Sequence, residues 1–287
     1  MLASAFFFSL MGVCVKAVGS RLPVAEVVLG RAVVSVLLSW WLLRQRAIPI
    51  WGKRKGMLIL RGVIGTLALA CVYAALTHLP LASATVLQYL YPTITALLAW
   101  ATLREHLAPR LLLAMALGWL GVLVVAQPGW MTGQSGGGLP LLPLLLGLTG
   151  AVLTALAYVS VRALGRSEHP LVIVFYFPLV ALPLTLPLVL LHPVLPTAME
   201  LLWLVGVGLF TQLGQIGLTK GLTALPAARA TAMSYAQVPF AALWGVLFFG
   251  EGLSGWTALG AALVLAATLL SLGARSAGGG DRSTSPG

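Results

Sequence analysis

The chain holds six acidic residues, and two of them, Glu105 and Glu251, stand 146 residues apart at the ends of matching stretches. The first stretch opens with LTHLP at 76–80 and runs through Ala84-Thr85, Tyr89 and Ala96-Leu97 to Glu105. The second opens with LTALP at 222–226 and runs through Ala230-Thr231, Tyr235 and Ala242-Leu243 to Glu251. Two cations, Lys16 and Arg162, keep the same spacing of 146. Carboxylates and cations repeated in this way can form ion pairs that tie one half of a chain to the other. The alternative is simpler. A cation at the C-terminus of a helix is favoured by the macrodipole, and a long basic side chain reaches an interface without any partner.

A second set of residues could hold a polar solute. Thr66, Tyr73 and Thr77 share one helical face, and Gln212, Gln215 and Thr219 share the equivalent face in the second half. Gln88, Tyr89, Tyr158, Tyr235 and Gln237 add aromatic and amide groups, and Arg31 adds a cation far from any break in its apolar run. Catalytic and metal chemistry is poorly provided for. HExxH and a Walker loop are absent, Cys14 and Cys71 lie in separate apolar runs, and Ser83, Ser160 and Ser234 have no evident base. The sequence therefore implies no cofactor, no metal site and no enzyme.

These side chains must be positioned by membrane helices. Hydrophobic residues make up 60% of the chain and charged residues 8%, against about a quarter charged in a soluble domain, and the mean hydropathy is +1.01. Apolar runs of about 20 residues suffice to cross the bilayer. Ten are expected: 2–18, 24–43, 57–77, 81–103, 110–126, 139–161, 171–191, 200–219, 230–250 and 254–273. The net charge of +11 does not imply nucleic acid, because the basic residues fall in the short gaps between runs. With the N-terminus inside, thirteen Lys and Arg fall on the cytoplasmic side and only Arg21 outside, so both termini are placed in the cytoplasm. An uncharged, Gly-rich linker spans 127–138, and a Gly/Ser/Arg-rich tail spans 274–287.

An odd number of spans per half turns the second half, 139–273, upside down relative to the first, 1–126. Inverted repeats are a transporter architecture, with the solute held at mid-membrane between them. In that setting Arg31 is costly, at least ~2.5 kcal/mol near the bilayer centre, so it faces a cavity, a partner or the carbonyls of a broken helix. Pro92 and Pro239, matched at a spacing one residue longer, are expected to kink their spans. Pro23 likewise finds Pro170.

The residues Lys16, Pro23 and Arg31, Pro92 with LREHL, and the stretch SYAQVPFAALWGVLFFGE with Pro239 resemble the drug/metabolite transporter superfamily, in its ten-helix group with two EamA-type repeats. The resemblance covers 1–273. It implies an all-α permease of a bacterial inner membrane that moves a small organic metabolite by alternating access. It leaves proton or counter-substrate coupling open. A channel or an intramembrane enzyme is the non-permease alternative.

Overall fold

The computed structural model describes residues 1–18, 21–78, 87–105, 108–126, 141–250 and 255–273. The first half contains α1 (Leu2–Val18), α2 (Val24–Gln45), α3 (Lys55–His78), α4 (Tyr91–Leu103) and α5 (Pro109–Ala126). The second contains α6 (Leu141–Leu164), α7 (Pro170–Leu191), α8 (Ala198–Ala224), α9 (Ala227–Ala232), a 3₁₀ turn (Met233–Ala236), α10 (Gln237–Phe249) and α11 (Gly255–Gly273). Shifted by 146 residues, α2 falls on α7 and α4 falls on α10, end to end. The linker at 127–138, the tail at 274–287 and Glu251 lie outside the described residues.

Helix ends follow from local chemistry. Thr197 and Glu200 form a capping box at the start of α8, which satisfies two backbone donors that the first turn leaves unpaired. Prolines sit in the first turns of α4 and α7, where no intrahelical donor is lost. α8 runs five residues past the expected limit at Thr219, because Lys220 and Gly221 remain in its last turns. A lysine there can snorkel without ending the helix. α4 and α10 both end on a residue in the left-handed region, Arg104 with φ 53° and Gly250 with φ 63°. These two are again 146 apart.

The helices pack with the same symmetry. α1 lies on α8 as α6 lies on α3, α2 lies on α8 as α7 lies on α3, and α1 meets α10 as α6 meets α4. Two helices pack on their own repeat-mates, α2 on α7 and α5 on α11. At the latter contact a side chain on Gly121 would meet Val264 and the Gly260 carbonyl within 2.8 Å, so only glycine permits the approach.

The outer surface is apolar. Leu37, Leu60, Leu188, Leu202 and Leu269 are each more than half exposed, an arrangement stable only against lipid. Among the described residues five helices are long and apolar enough to cross a membrane: α2, α3 over Lys55–Val72, α6, α7 and α8. α1, α5 over Pro109–Val124 and α11 over Ala258–Leu270 are shorter apolar helices. Spans four and nine are not single kinked helices. Each has a break, a turn at 89–90 before α4 and the 3₁₀ turn before α10. Pro92 and Pro239 lie in the first turn of the segment that follows, so each starts a new helix rather than bending an old one.

Candidate functional site

A residue that touches its own repeat-mate lies on the axis relating the two repeats. Two such contacts are present. Tyr89 stacks on Tyr235, with ring centroids 5.9 Å apart and planes 22° apart. The Arg31 guanidinium lies over the ring of Phe177, 5.2 Å from its centroid; positions 31 and 177 are also 146 apart. The axis of an inverted repeat lies in the membrane plane, which puts both contacts near mid-depth.

The first contact is built by the two helix breaks. The 3₁₀ turn carries Ser234 and Tyr235 into the interior, where Tyr235 is fully buried. α5 makes room for it with Gly118, whose added Cβ would stand 2.6 Å from the tyrosine ring. Tyr89 also stacks on Tyr91, and Tyr91 meets Tyr158 of α6 edge-on at 5.2 Å. The Ser234 hydroxyl donates to the Thr231 carbonyl, so the Tyr91 hydroxyl donates to Ser234, across repeats, at 2.5 Å. Trp119 closes one side by donating its Nε1 hydrogen to Thr93 at 2.8 Å. Gln88 and Gln237 flank the two breaks, half-buried. Four tyrosines from both halves thus form one aromatic wall with few free hydrogen-bonding groups.

The second contact holds two arginines. Arg61 of α3 lies over the same Phe177 ring, 4.4 Å from its centroid. It is 2% exposed, and its Nε and Nη1 have no hydrogen-bond partner. Gly65 leaves space for this arrangement, since a Cβ there would lie 2.9 Å from Phe177 and 3.2 Å from Arg61 Nη1.

Other expected residues lie elsewhere. Gln212 donates to Ser39 of α2 at 2.6 Å, so its amide serves the α2–α8 interface and leaves its carbonyl oxygen without a partner. Gln215 is half-buried, also with its oxygen unpaired. Thr66 donates back to the Gly62 carbonyl of its own helix. Tyr73 lies on α3. Lys16 is exposed at the end of α1.

Arg162 and Glu105 meet. Arg162 Nε donates to Glu105 Oε1 at 2.7 Å, and Nη1 donates to the carbonyls of Leu222 and Thr223 at the end of α8. The other carboxylate oxygen, Oε2, accepts from the backbone of Ala227, the first residue of α9, at 2.7 Å. An anion suits that helix N-terminus and a cation suits the C-terminus of α8. The left-handed turn at Arg104 is what aims Glu105 out of line with α4 and toward α6.

Both halves of the chain, residues 1–127 and 141–273, match the EamA-like transporter family. The chain is 32% identical over 267 residues to the pseudopaline exporter CntI of Pseudomonas aeruginosa strain UCBPP-PA14, covering 93% of this chain and 92% of the exporter. It is 30% identical over 281 residues to human solute carrier family 35 member G1, covering 93% and 76%. A crystal structure at 19% identity superposes with a TM-score of 0.83 over 94% of this chain and 93% of the other. This integral membrane protein therefore belongs to the EamA-like transporter family of the drug/metabolite transporter superfamily.

Proposed function

We propose that the protein is a secondary transporter that moves a small organic metabolite by alternating access around the axis between its two repeats. The observation that carries this is the Tyr89–Tyr235 stack. Two broken spans meet their mates at mid-depth, where a transporter needs backbone that is not locked in continuous helix. The Arg162–Glu105 contact supports the same mechanism. It closes one face by joining α4, α6, α8 and α9, which come from both repeats, and it must open if the solute is to leave on that side. The excess of loop Lys and Arg supports a cytoplasmic position for that face, and the bacterial relative supports an inner membrane. The bacterial relative is an exporter by name, which supports outward movement.

Counterflow in proteoliposomes tests the mechanism. Vesicles are loaded with each member of a panel of amino acids, nucleotides, organic acids and sugars, and labelled solute is added outside. A transporter shows saturable uptake that depends on the loaded solute, and Tyr235→Ala abolishes it. Flux that rises linearly with concentration, without trans-stimulation, would refute alternating access.

A further inference from the structure

We infer that Arg61 and Arg31 form an anion-binding site, so that the transported solute is an organic anion with a carboxylate head and an apolar body. This rests on the transporter function proposed above and narrows its substrate class.

Arginine does not give up its proton inside a protein. Two guanidinium groups therefore share one aromatic ring in the interior, with Arg31 7% and Arg61 2% exposed. The described carboxylates are committed to other groups. Glu26 accepts from the Val194 backbone, Glu105 holds Arg162, Glu168 accepts from the Arg54 backbone, and Glu200 holds Arg21. Cation–π contact with Phe177 offsets part of the desolvation cost. It satisfies no N–H, and Nε and Nη1 of Arg61 remain unpaired. Nε and Nη1 lie on different edges of the guanidinium, so each has an N–H that can donate to an oxygen of a bound anion. A buried cation with two N–H donors unpaired is costly to keep unless a ligand uses them.

The surroundings specify the rest of the solute. Three residues from Arg31 along α2 and five from Arg61 along α3, a cavity of about 290 Å³ opens between α2, α3 and α7, lined by Val28, Thr66, Ala70 and Thr185 among others. Its two hydroxyls are spent on the carbonyls of their own helices, Gly62 and Ala181. The wall then offers apolar contact and almost no hydrogen bonding. A carboxylate at the arginines with a hydrocarbon or aromatic body in this cavity satisfies both.

The test uses the full-length protein in phosphatidylcholine nanodiscs, with 4-phenylbutyrate as probe and 4-phenylbutyramide as its neutral match. The carboxylate is expected to raise the unfolding midpoint by several degrees, and the amide to bind at least about tenfold more weakly. Arg61→Met is expected to remove the response yet raise the midpoint of the ligand-free protein, because it deletes an unpaired buried charge. Arg61→Lys keeps the charge and is expected to retain part of the response. Equal response to carboxylate and amide, or an unaltered response in Arg61→Met, overturns the inference. So does a response matched by chloride or phosphate, which would mark an inorganic anion site. A response that vanishes when phosphatidylglycerol replaces a quarter of the lipid would mark a lipid site and also overturns it. Counterflow of neutral or cationic solutes that is insensitive to Arg61→Met would sink the anion assignment while leaving the transporter in place. Absence of counterflow for every solute would sink the transporter function itself.

Discussion

Exchanging the charges of Arg162 and Glu105 provides the sharpest test of the contact that joins the repeats. The two side chains are 22% and 12% exposed, low enough that solvent screens the pair only in part. A hydrogen bond with charged partners contributes about 1.5–3 kcal/mol. Glu105→Ala loses that bond and also frees the Ala227 N–H, for a total of about 3 kcal/mol; Arg162→Ala frees the carbonyls of Leu222 and Thr223 for a similar loss. The double variant should be less damaging than the sum of the two, leaving a coupling energy of about 2 kcal/mol, measured by SDS-induced unfolding in mixed micelles. The charge exchange, Glu105→Arg with Arg162→Glu, restores the Coulomb attraction but reverses both backbone contacts. A carboxylate would then face two carbonyls, and a guanidinium would face an N–H at the positive end of α9. The exchanged protein is therefore expected to be no more stable than the double alanine variant. A coupling below about 0.5 kcal/mol, or full recovery on exchange, would show that these two residues act as independent interfacial charges.

Three further outcomes follow from particular contacts. Arg104 is an exposed residue held at φ 53° where the mate position has glycine; Arg104→Gly is expected to stabilise by up to about 1 kcal/mol, read as a higher unfolding midpoint, with Gly250→Ala shifting it the opposite way. Gly118→Ala pushes a methyl into the Tyr235 ring and should cost about 1–3 kcal/mol and reduce transport, whereas Gly56→Ala, with open space around the added atom, should do neither. His169 caps α7 by accepting from the Leu171 N–H, and its pKa is lowered from the usual 6.5, first by burial and then by Arg46 and Lys220. A depressed histidine contributes stability while it is neutral, above pH 6.5, and loses it as the pH falls through its folded-state pKa. Stability should thus decline below pH 6.5 and do so less in His169→Asn, which caps without titrating, as melts across pH 5–8 would report.

Much of the fold was legible because the repeat is carried by rare residues. Tyr, Thr, Pro and Glu at a constant spacing of 146 anticipate helix pairs that the structure places in matching environments. The positions of the helix breaks were less accessible. Proline marks a break, but the same residue fits a kink or a first turn, and only the backbone distinguishes them. Arg61 was missed for a related reason. Its mate position is Val207, so comparing the halves conceals it. The available signal was the rarity of a charge seven residues into an apolar helix. Gln212 shared a polar stripe with Gln215, yet a helical face does not reveal which neighbour covers it, and α2 covers this one with Ser39. The repeated spacing marks Arg162 and Glu105 as candidates for an ion pair, but their hold on the ends of α8 and α9 depends on the left-handed turn at Arg104.

The Tyr89–Tyr235 stack has a consequence for motion. When an inverted repeat transports, each half takes up the shape that the other had before. In the proposed mechanism an element away from the axis, such as α1 or α6, must then exchange environments with its mate. A pair on the axis is converted into itself. Tyr89 and Tyr235 can keep their mutual contact from one end of the cycle to the other, as a fulcrum about which the halves trade places, while the contacts at either membrane face form and break in turn.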